Sequence, residues 1–296
     1  MILTPLLFAF AAQAPAAAAT TAPAPSEIVA AAPAAAWKDI PADTLMLIDL
    51  ADGRRITIQL APQFAPVHIA NMKALAAARF WDNSSIYRVQ DNYVAQWGDA
   101  TEKKPLPAGI VANPPAEYVR PVAGLTIRPL GYPDAYAHQT GHADGWPVAS
   151  DGTSAWLPHC YAMVGVGRNL APDTGTGAEL YTVIGHAPRH LERNIALVGR
   201  IIDGIEAMSA LPRGTGPLGF YEKAEQRVPI RTVRIAAELP VRDRPAWQYL
   251  DSASPAFAAY AEARANRRDP FFNLPAGGAD ICNVPVPIRR KPAATD

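Results

Sequence analysis

Short segments in which apolar residues alternate with polar ones recur through the middle of the chain, and they predict a mainly β fold. Residues 44–50 and 54–60 flank Asp52-Gly53, a dipeptide typical of tight hairpin turns. Six further strands are predicted at residues 86–90, 94–97, 160–167, 180–184, 197–202 and 230–236. The last of them would close a barrel, and closure removes exposed sheet edges.

Two helices are predicted between these strands. Ala65-Pro66 places a proline in a first helical turn, and a 3.6-residue apolar period continues to about Arg79. The stripe expected to face the core consists of Val67, Ala70, Ala74 and Ala77, with Leu75 beside it. His68 would then lie on the surface. A second, short helix is predicted to begin at residues 203–208.

The hairpin of residues 86–90 and 94–97 carries the side chains of greatest chemical interest. A three-residue loop at 91–93, with Asn92 in a left-handed conformation, places Arg88 opposite Gln96 on one face. A two-residue loop would place them on opposite faces, because a shift of one residue reverses every side chain. We expect the three-residue loop.

Composition divides the 296-residue chain into four parts. Residues 1–19 contain an apolar run followed by Ala17-Ala18-Ala19, which is typical of a secretory signal peptide and predicts export, most simply to a periplasm. The alternatives are a disordered alanine-rich tail or a misassigned start, because no Lys or Arg precedes Lys38. The run is too short to span a bilayer. The other parts are an Ala/Pro-rich linker at 20–42 that is flexible or semi-extended, a folded domain at 43–236 and a C-terminal extension packed on it at 237–296.

A long insertion, residues 101–158, interrupts the folded domain. It is rich in proline, glycine and aromatic residues, of which four are expected to fix it to the body: Tyr132, Tyr136, Trp146 and Trp156. His138 and His142, together with His159-Cys160, form a conceivable zinc set. We expect no metal site, because no pair of cysteines brackets the histidines.

The C-terminal extension is predicted to contain one helix and a covalent link. Ser254-Pro255 provides a helix cap followed by proline, and the helix would run to Arg268. Phe271-Phe272 and Leu274 are expected to pack on the body. Cys160 and Cys282 are the only cysteines, and in an oxidising compartment they would form a disulfide bond; two unpaired buried thiols are the alternative.

Charge and motifs exclude several classes of function. The chain has 27 basic and 27 acidic residues, so bulk electrostatics favour neither a nucleic-acid partner nor an anionic membrane. A hydrolase is disfavoured because the chain has no Gly-x-Ser-x-Gly motif and neither cysteine has the sequence context of a nucleophile.

Several motifs of the folded domain resemble those of the cyclophilin-type peptidyl-prolyl cis-trans isomerases, in kind and in order. They are Tyr87-Arg88-Val89, Gln96-Trp97-Gly98-Asp99, the stretch Gly177 to Tyr181, and Val198-Gly199-Arg200-Ile201-Ile202-Asp203-Gly204. The resemblance covers about residues 44–236 apart from the insertion. It implies a mainly β fold, a closed eight-stranded antiparallel cyclophilin-like barrel with two flanking helices.

The same resemblance assigns residues to a site. It makes Arg88 the catalytic residue, and it places seven residues in the substrate pocket: Tyr93, Val94, Gln96, Glu179, Tyr181, His190 and Leu191. Glu179 stands where the family usually has glutamine, and it is expected to pair with Arg88 or to favour basic substrates. His190 stands at a position that is often tryptophan.

The resemblance implies an isomerase that acts on X-Pro bonds of unfolded or newly exported polypeptides. Rotation about a peptide bond needs neither a nucleophile nor a metal, so no cofactor is expected. The alternative is a cyclophilin-fold binding or chaperone module with little or no isomerase activity.

Overall fold

The computed structural model describes residues 22–293. The described chain has four α-helices, α1 (Pro25–Ala30), α2 (Pro66–Ala77), α3 (Glu206–Ser209) and α4 (Pro255–Ala265). Its strands are, in chain order, β1 (Trp37–Asp39), β2 (Leu45–Leu50), β3 (Arg55–Leu60), β4 (Ser85–Val89), β5 (Val94–Gly98), β6 (Arg120–Pro121), β7 (Arg128–Pro129), β8 (Gln139–Ala143), β9 (Trp146–Ser150), β10 (Ser154–Trp156), β11 (Met163–Val166), β12 (Leu180–Val183), β13 (Leu197–Asp203), β14 (Val228–Ile235), β15 (Trp247–Leu250) and β16 (Ile288–Arg290). The predicted signal peptide at 1–19 lies outside the described residues.

Eight of the strands form the predicted closed antiparallel barrel. Their order around the barrel is β11-β12-β5-β4-β14-β2-β3-β13, and β13 pairs with β11 to close it. Aliphatic side chains such as Met46, Ile48 and Ile58 fill the interior without measurable solvent exposure. Alternation along each strand sends one set of side chains into this core and the other set outward.

Helix α2 covers the barrel with a different face from the predicted one. Ile69, Met72 and Leu75 are buried, whereas Ala70 and Ala74 are exposed. The larger side chains take the core side because they remove more apolar area from water than alanine does.

The surface position predicted for His68 is wrong. Its ring is fully buried, and Nδ1 lies 2.7 Å from a carboxylate oxygen of Glu117, which also accepts hydrogen bonds from the backbone N–H groups of Val67 and His68. A residue of the insertion therefore caps the first turn of α2.

The prediction of a flexible or semi-extended linker at 20–42 is wrong for residues 25–42, which form packed elements. Helix α1 packs against α4, and β1 pairs with β15, with Trp37 opposite Leu250. Strand β16 completes a three-stranded sheet, β1-β15-β16. The prediction failed because alanine and proline show no periodicity, whereas their burial depends on a partner segment about 200 residues away in the sequence.

The insertion is an ordered five-stranded sheet, β6-β10-β9-β8-β7. Trp146 of β9 and Trp156 of β10 are buried, in agreement with the anchoring role predicted for them, but Tyr136 is 48% exposed. Cys160 forms a disulfide bond with Cys282, as the oxidised alternative predicted. The thiol is thus unavailable to a metal, and the described residues contain no group of three side chains that would hold one.

The C-terminal extension packs on the insertion and on the N-terminal segment. Ser254 caps α4 by accepting a 3.1 Å hydrogen bond from the backbone N–H of Phe257, but the helix ends at Ala265 rather than Arg268. The expected apolar contact of Phe271 and Leu274 is wrong, since both are more than 80% exposed. Within residues 22–293, none of the helices has the length and apolar character needed to cross a membrane.

Candidate active site

The β4–β5 hairpin has the predicted three-residue loop. Gln90 N–H donates to the carbonyl of Val94 at 2.9 Å, and Asn92 between them has a φ of 51°. The resulting register places Arg88 opposite Gln96. Asn92 provides the left-handed residue that such a loop requires, and this is why the local sequence was sufficient to predict the register.

A row of three side chains crosses neighbouring strands on the outside of the barrel. Arg88 of β4 lies opposite Gln96 of β5, and Gln96 lies opposite Tyr181 of β12. Tyr181 in turn lies opposite Gly165 of β11, where a Cβ atom would collide with the tyrosine ring. The glycine therefore allows the ring to lie flat over β11.

A β-bulge shifts the register of β4 between Ile86 and Arg88. Consecutive residues of a regular strand point to opposite faces, whereas a bulge redirects a side chain. At this bulge both Tyr87 and Arg88 reach Gln96: Gln96 Nε2 donates to the Tyr87 hydroxyl at 2.8 Å, and Arg88 Nη1 donates to Gln96 Oε1 at 3.0 Å.

The Arg88 guanidinium is held at all three of its nitrogens. Besides the bond to Gln96, Nε donates to the carbonyl of Leu218 at 2.8 Å, and Nη2 donates to Gln90 Oε1 at 2.6 Å. The group lies 5.4 Å from the ring centre of Phe220 and 5.9 Å from that of Tyr93. Burial lowers the pKa of Arg88, but an arginine stays charged at any physiological pH.

The guanidinium borders an open cleft of about 840 Å³. Six of the eight residues assigned by resemblance line this cleft: Arg88, Tyr93, Val94, Gln96, Tyr181 and Leu191. Val94 and Gln96 face it, while the alternate residues Ala95 and Trp97 belong to the barrel core. The cleft thus combines the Arg88 guanidinium with an apolar floor, and Glu102 and Arg168 add one charge of each sign to its lining.

Glu179 lies outside this cleft, and the expected pairing with Arg88 is absent. Its carboxylate accepts hydrogen bonds from the Tyr87 hydroxyl and from the backbone N–H of Asp99, the latter at 2.7 Å. Burial raises the pKa of Glu179 to about 7. Gln96 and Tyr87 stand between the carboxylate and Arg88.

His190 is exposed and also lies outside the cleft, although its neighbour Leu191 lines it. The turn that contains both is held by Arg189, whose buried guanidinium pairs with Asp134 and, at 2.5 Å, with Glu192.

Tyr181 is held by His159, which directly follows the insertion. Its hydroxyl lies 2.9 Å from His159 Nε2, and both side chains are buried. Burial lowers the pKa of His159 to about 3 and raises that of Tyr181, so both groups are neutral.

Sequence reasoning missed several residues that shape the site. Tyr87, Gln90 and His159 hold its polar groups, while Leu218 and Phe220 border the guanidinium. Leu218 contributes a backbone carbonyl, which its side chain does not signal. Tyr87 was detectable in principle, since it adjoins Arg88 in the same motif.

Comparison with known proteins identifies the family. A model described as cyclophilin type peptidyl-prolyl cis-trans isomerase/CLD matches residues 45–237, more than half of the chain. A search of curated proteins found no match.

A solved cyclophilin structure shares the fold. The cyclophilin AquaCyp293 from Hirschia baltica superposes with a TM-score of 0.68 at 21% identity, over 87% of this chain and 95% of that chain. A cyclophilin type isomerase from Cryptosporidium parvum, crystallised in the presence of the dipeptide Ala-Pro, has a TM-score of 0.41 at 14% identity, over 64% of this chain and 98% of that chain. The family model, matched along the barrel that carries the Arg88 cleft, shows that this chain belongs to the cyclophilin-type peptidyl-prolyl cis-trans isomerases.

Proposed function

We propose that this chain catalyses the isomerisation of X-Pro bonds in unfolded or newly exported polypeptides, with Arg88 as the catalytic residue. A planar peptide bond resists rotation with a barrier of ~18 to 20 kcal/mol, because the nitrogen lone pair is delocalised into the carbonyl. In the twisted state the lone pair returns to the prolyl nitrogen. A hydrogen-bond donor aimed at that nitrogen stabilises the twisted state alone, and only such selective stabilisation lowers the barrier.

The observation that carries the proposal is the way Arg88 is held. Three acceptors fix its guanidinium at the edge of the cleft. Each terminal nitrogen of an arginine carries two N–H groups, so the bonds to Gln96 and Gln90 leave one on each for a substrate. A donor fixed in advance needs little reorganisation when charge develops in the transition state.

The apolar side chains would hold the proline ring while the preceding carbonyl turns. Tyr93, Val94, Tyr181 and Leu191 line the cleft beside Arg88. Gln96 would orient Arg88, since it accepts a hydrogen bond from it. No covalent bond is made or broken, and the proposed reaction therefore needs no cofactor.

A prolyl-peptide isomerisation assay tests the proposal. Arg88→Ala is expected to lower kcat/KM by about 100-fold, the equivalent of one charged hydrogen bond of ~3 kcal/mol. Arg242→Ala is the matched control, because that side chain is 87% exposed and does not line the cleft. Equal rates for wild type and Arg88→Ala would reject catalysis by Arg88, and a wild-type rate no higher than the uncatalysed one would favour a binding or chaperone module.

We further propose that the protein is exported to a periplasm. The apolar run before Ala17-Ala18-Ala19 supports this, as does the Cys160–Cys282 bond, because disulfides persist mainly in oxidising compartments. Cell fractionation followed by N-terminal sequencing is expected to find a periplasmic protein that begins near Thr20. A cytoplasmic protein that retains residues 1–19 would contradict the proposal.

A further inference from the structure

A continuous chain of hydrogen bonds runs from Arg88 to Glu179, and chemistry fixes its direction. Arg88 has only donors, so Gln96 must present its oxygen to Arg88 and its NH₂ group to Tyr87. The Tyr87 hydroxyl then accepts from Gln96 and must donate its single proton elsewhere. The Glu179 carboxylate is the acceptor of that proton.

Two donors converge on Glu179, one on each carboxylate oxygen. Oε2 faces the Tyr87 hydroxyl, and Oε1 faces the backbone N–H of Asp99 at 2.7 Å. A glutamine at this position has one oxygen only, so its NH₂ group would face one of the two donors. The hydrogen-bond pattern therefore requires a carboxylate where the family usually has an amide.

The backbone is shaped around this carboxylate. Gly98 has a φ of 151°, and a Cβ atom there would overlap the carboxyl group of Glu179. The side chain thus occupies a place that only glycine leaves open.

We propose that Glu179 is a positioning residue for the isomerase reaction, holding Gln96, and through it Arg88, by way of the Tyr87 hydroxyl. This inference rests on the proposed function of Arg88. Glu179 itself need not touch the substrate, because its effect reaches the guanidinium through two intervening side chains. Protonation of Glu179 turns one of its two acceptor oxygens into a donor, so the Tyr87 hydroxyl and the Asp99 N–H then compete for a single acceptor.

Catalysis is then expected to depend on pH. Burial, with the carboxylates of Asp99 and Glu102 nearby, raises the pKa of Glu179 to about 7. The carboxylate is the active form, so kcat is expected to rise with pH through that value. The other groups near Glu179 are Tyr87 and the charged residues of an adjoining cavity of about 350 Å³, Asp99, Glu102, Lys104, Arg168 and Asp173.

The test is a pH profile of kcat and KM for wild type, Glu179→Gln, Tyr87→Phe and the double variant, with an uncharged proline-containing peptide as substrate. Each single variant is expected to lower kcat about tenfold at mildly alkaline pH, with KM and the thermal midpoint little changed. Both are expected to lose the rise of kcat near neutral pH. The double variant is expected to match the single ones, because all three break the same chain of bonds.

The remaining outcomes separate this inference from the proposed function. A Glu179→Gln profile identical to wild type, while Arg88→Ala is inactive, would overturn the role of Glu179 and leave catalysis by Arg88 intact. Additive losses in the double variant, or an effect of Glu179→Gln confined to KM for lysine-containing peptides, would also overturn it. If the wild type gives no rate above the uncatalysed one, the proposed function itself fails; if Arg88→Ala retains full activity, the role of Arg88 fails, and the role of Glu179 fails with it.

Discussion

Arg88 lies directly opposite Gln96 across the β4–β5 hairpin, and its Nη1 donates a 3.0 Å hydrogen bond to Gln96 Oε1. With the bonds to Leu218 and Gln90, this leaves the guanidinium little freedom to rotate. The site thus depends on the fork-shaped geometry of arginine as well as on its charge.

Arg88→Lys is expected to keep the charge and lose most of the activity. An ammonium group cannot reach the three acceptors of the guanidinium together, so its N–H donors are no longer held in a fixed direction toward the substrate. We expect kcat/KM to fall by about tenfold or more, since each lost charged hydrogen bond contributes ~1.5 to 3 kcal/mol. The isomerase assay measures this, with Arg242→Lys as control; full activity of Arg88→Lys would show that charge alone is sufficient.

Asn92→Val is expected to destabilise the hairpin. Asn92 has a φ of 51°, and a β-branched residue is strained in this region by about 1 to 2 kcal/mol. The substitution also removes the oxygen that accepts a 2.8 Å hydrogen bond from His186 N–H. Chemical denaturation measures the change. Asn92→Asp is the control, because aspartate tolerates the same conformation and keeps an acceptor; equal losses in both variants would refute the conformational explanation.

Loss of the Cys160–Cys282 bond is expected to destabilise the protein. The two residues are separated by 122 positions, and closing so large a loop is worth up to about 5 kcal/mol in the chain-entropy model. A reducing agent should lower the denaturation midpoint of wild type to that of a Cys160→Ala, Cys282→Ala double variant, and it should leave the double variant unchanged. A wild-type midpoint that does not respond to complete reduction would contradict this.

His142 is expected to make the contact between insertion and extension sensitive to acid. Its Nε2 lies 2.9 Å from the carbonyl of Val284, and burial lowers its pKa from 6.5 to about 4. The unfolded chain therefore takes up the proton first, and stability falls as pH falls from about 6.5 to about 4, by up to ~3 kcal/mol.

Denaturation of wild type and His142→Gln across this range measures the effect. The difference between the two curves isolates the contribution of His142 to the pH dependence of stability. His159 also lowers stability as pH falls, whereas the raised pKa of Glu179 has the opposite effect, and both contributions are present in both proteins. Parallel curves would exclude a role for His142.

The sequence alone determined the features that depend on neighbouring residues. The β4–β5 register followed from the loop at 91–93, because turn geometry is local. The barrel strands were predicted from the alternation of apolar and polar residues. The roles of Arg88 and Gln96 were predicted from the sequence motifs that contain them. The cap at Ser254 was also local, since it involves a contact three residues away.

Only the tertiary structure decided which distant groups meet. Glu179 was expected beside Arg88, but the bulge in β4 brings Tyr87 between them. The carbonyl of Leu218 holds Arg88, and His159, which directly follows the insertion, holds Tyr181. Residues 25–42 fold only because they pair with a strand and pack against a helix of the C-terminal extension. Periodicity reports which face of a segment is apolar, whereas a buried polar group is satisfied by whichever partner packing brings within reach.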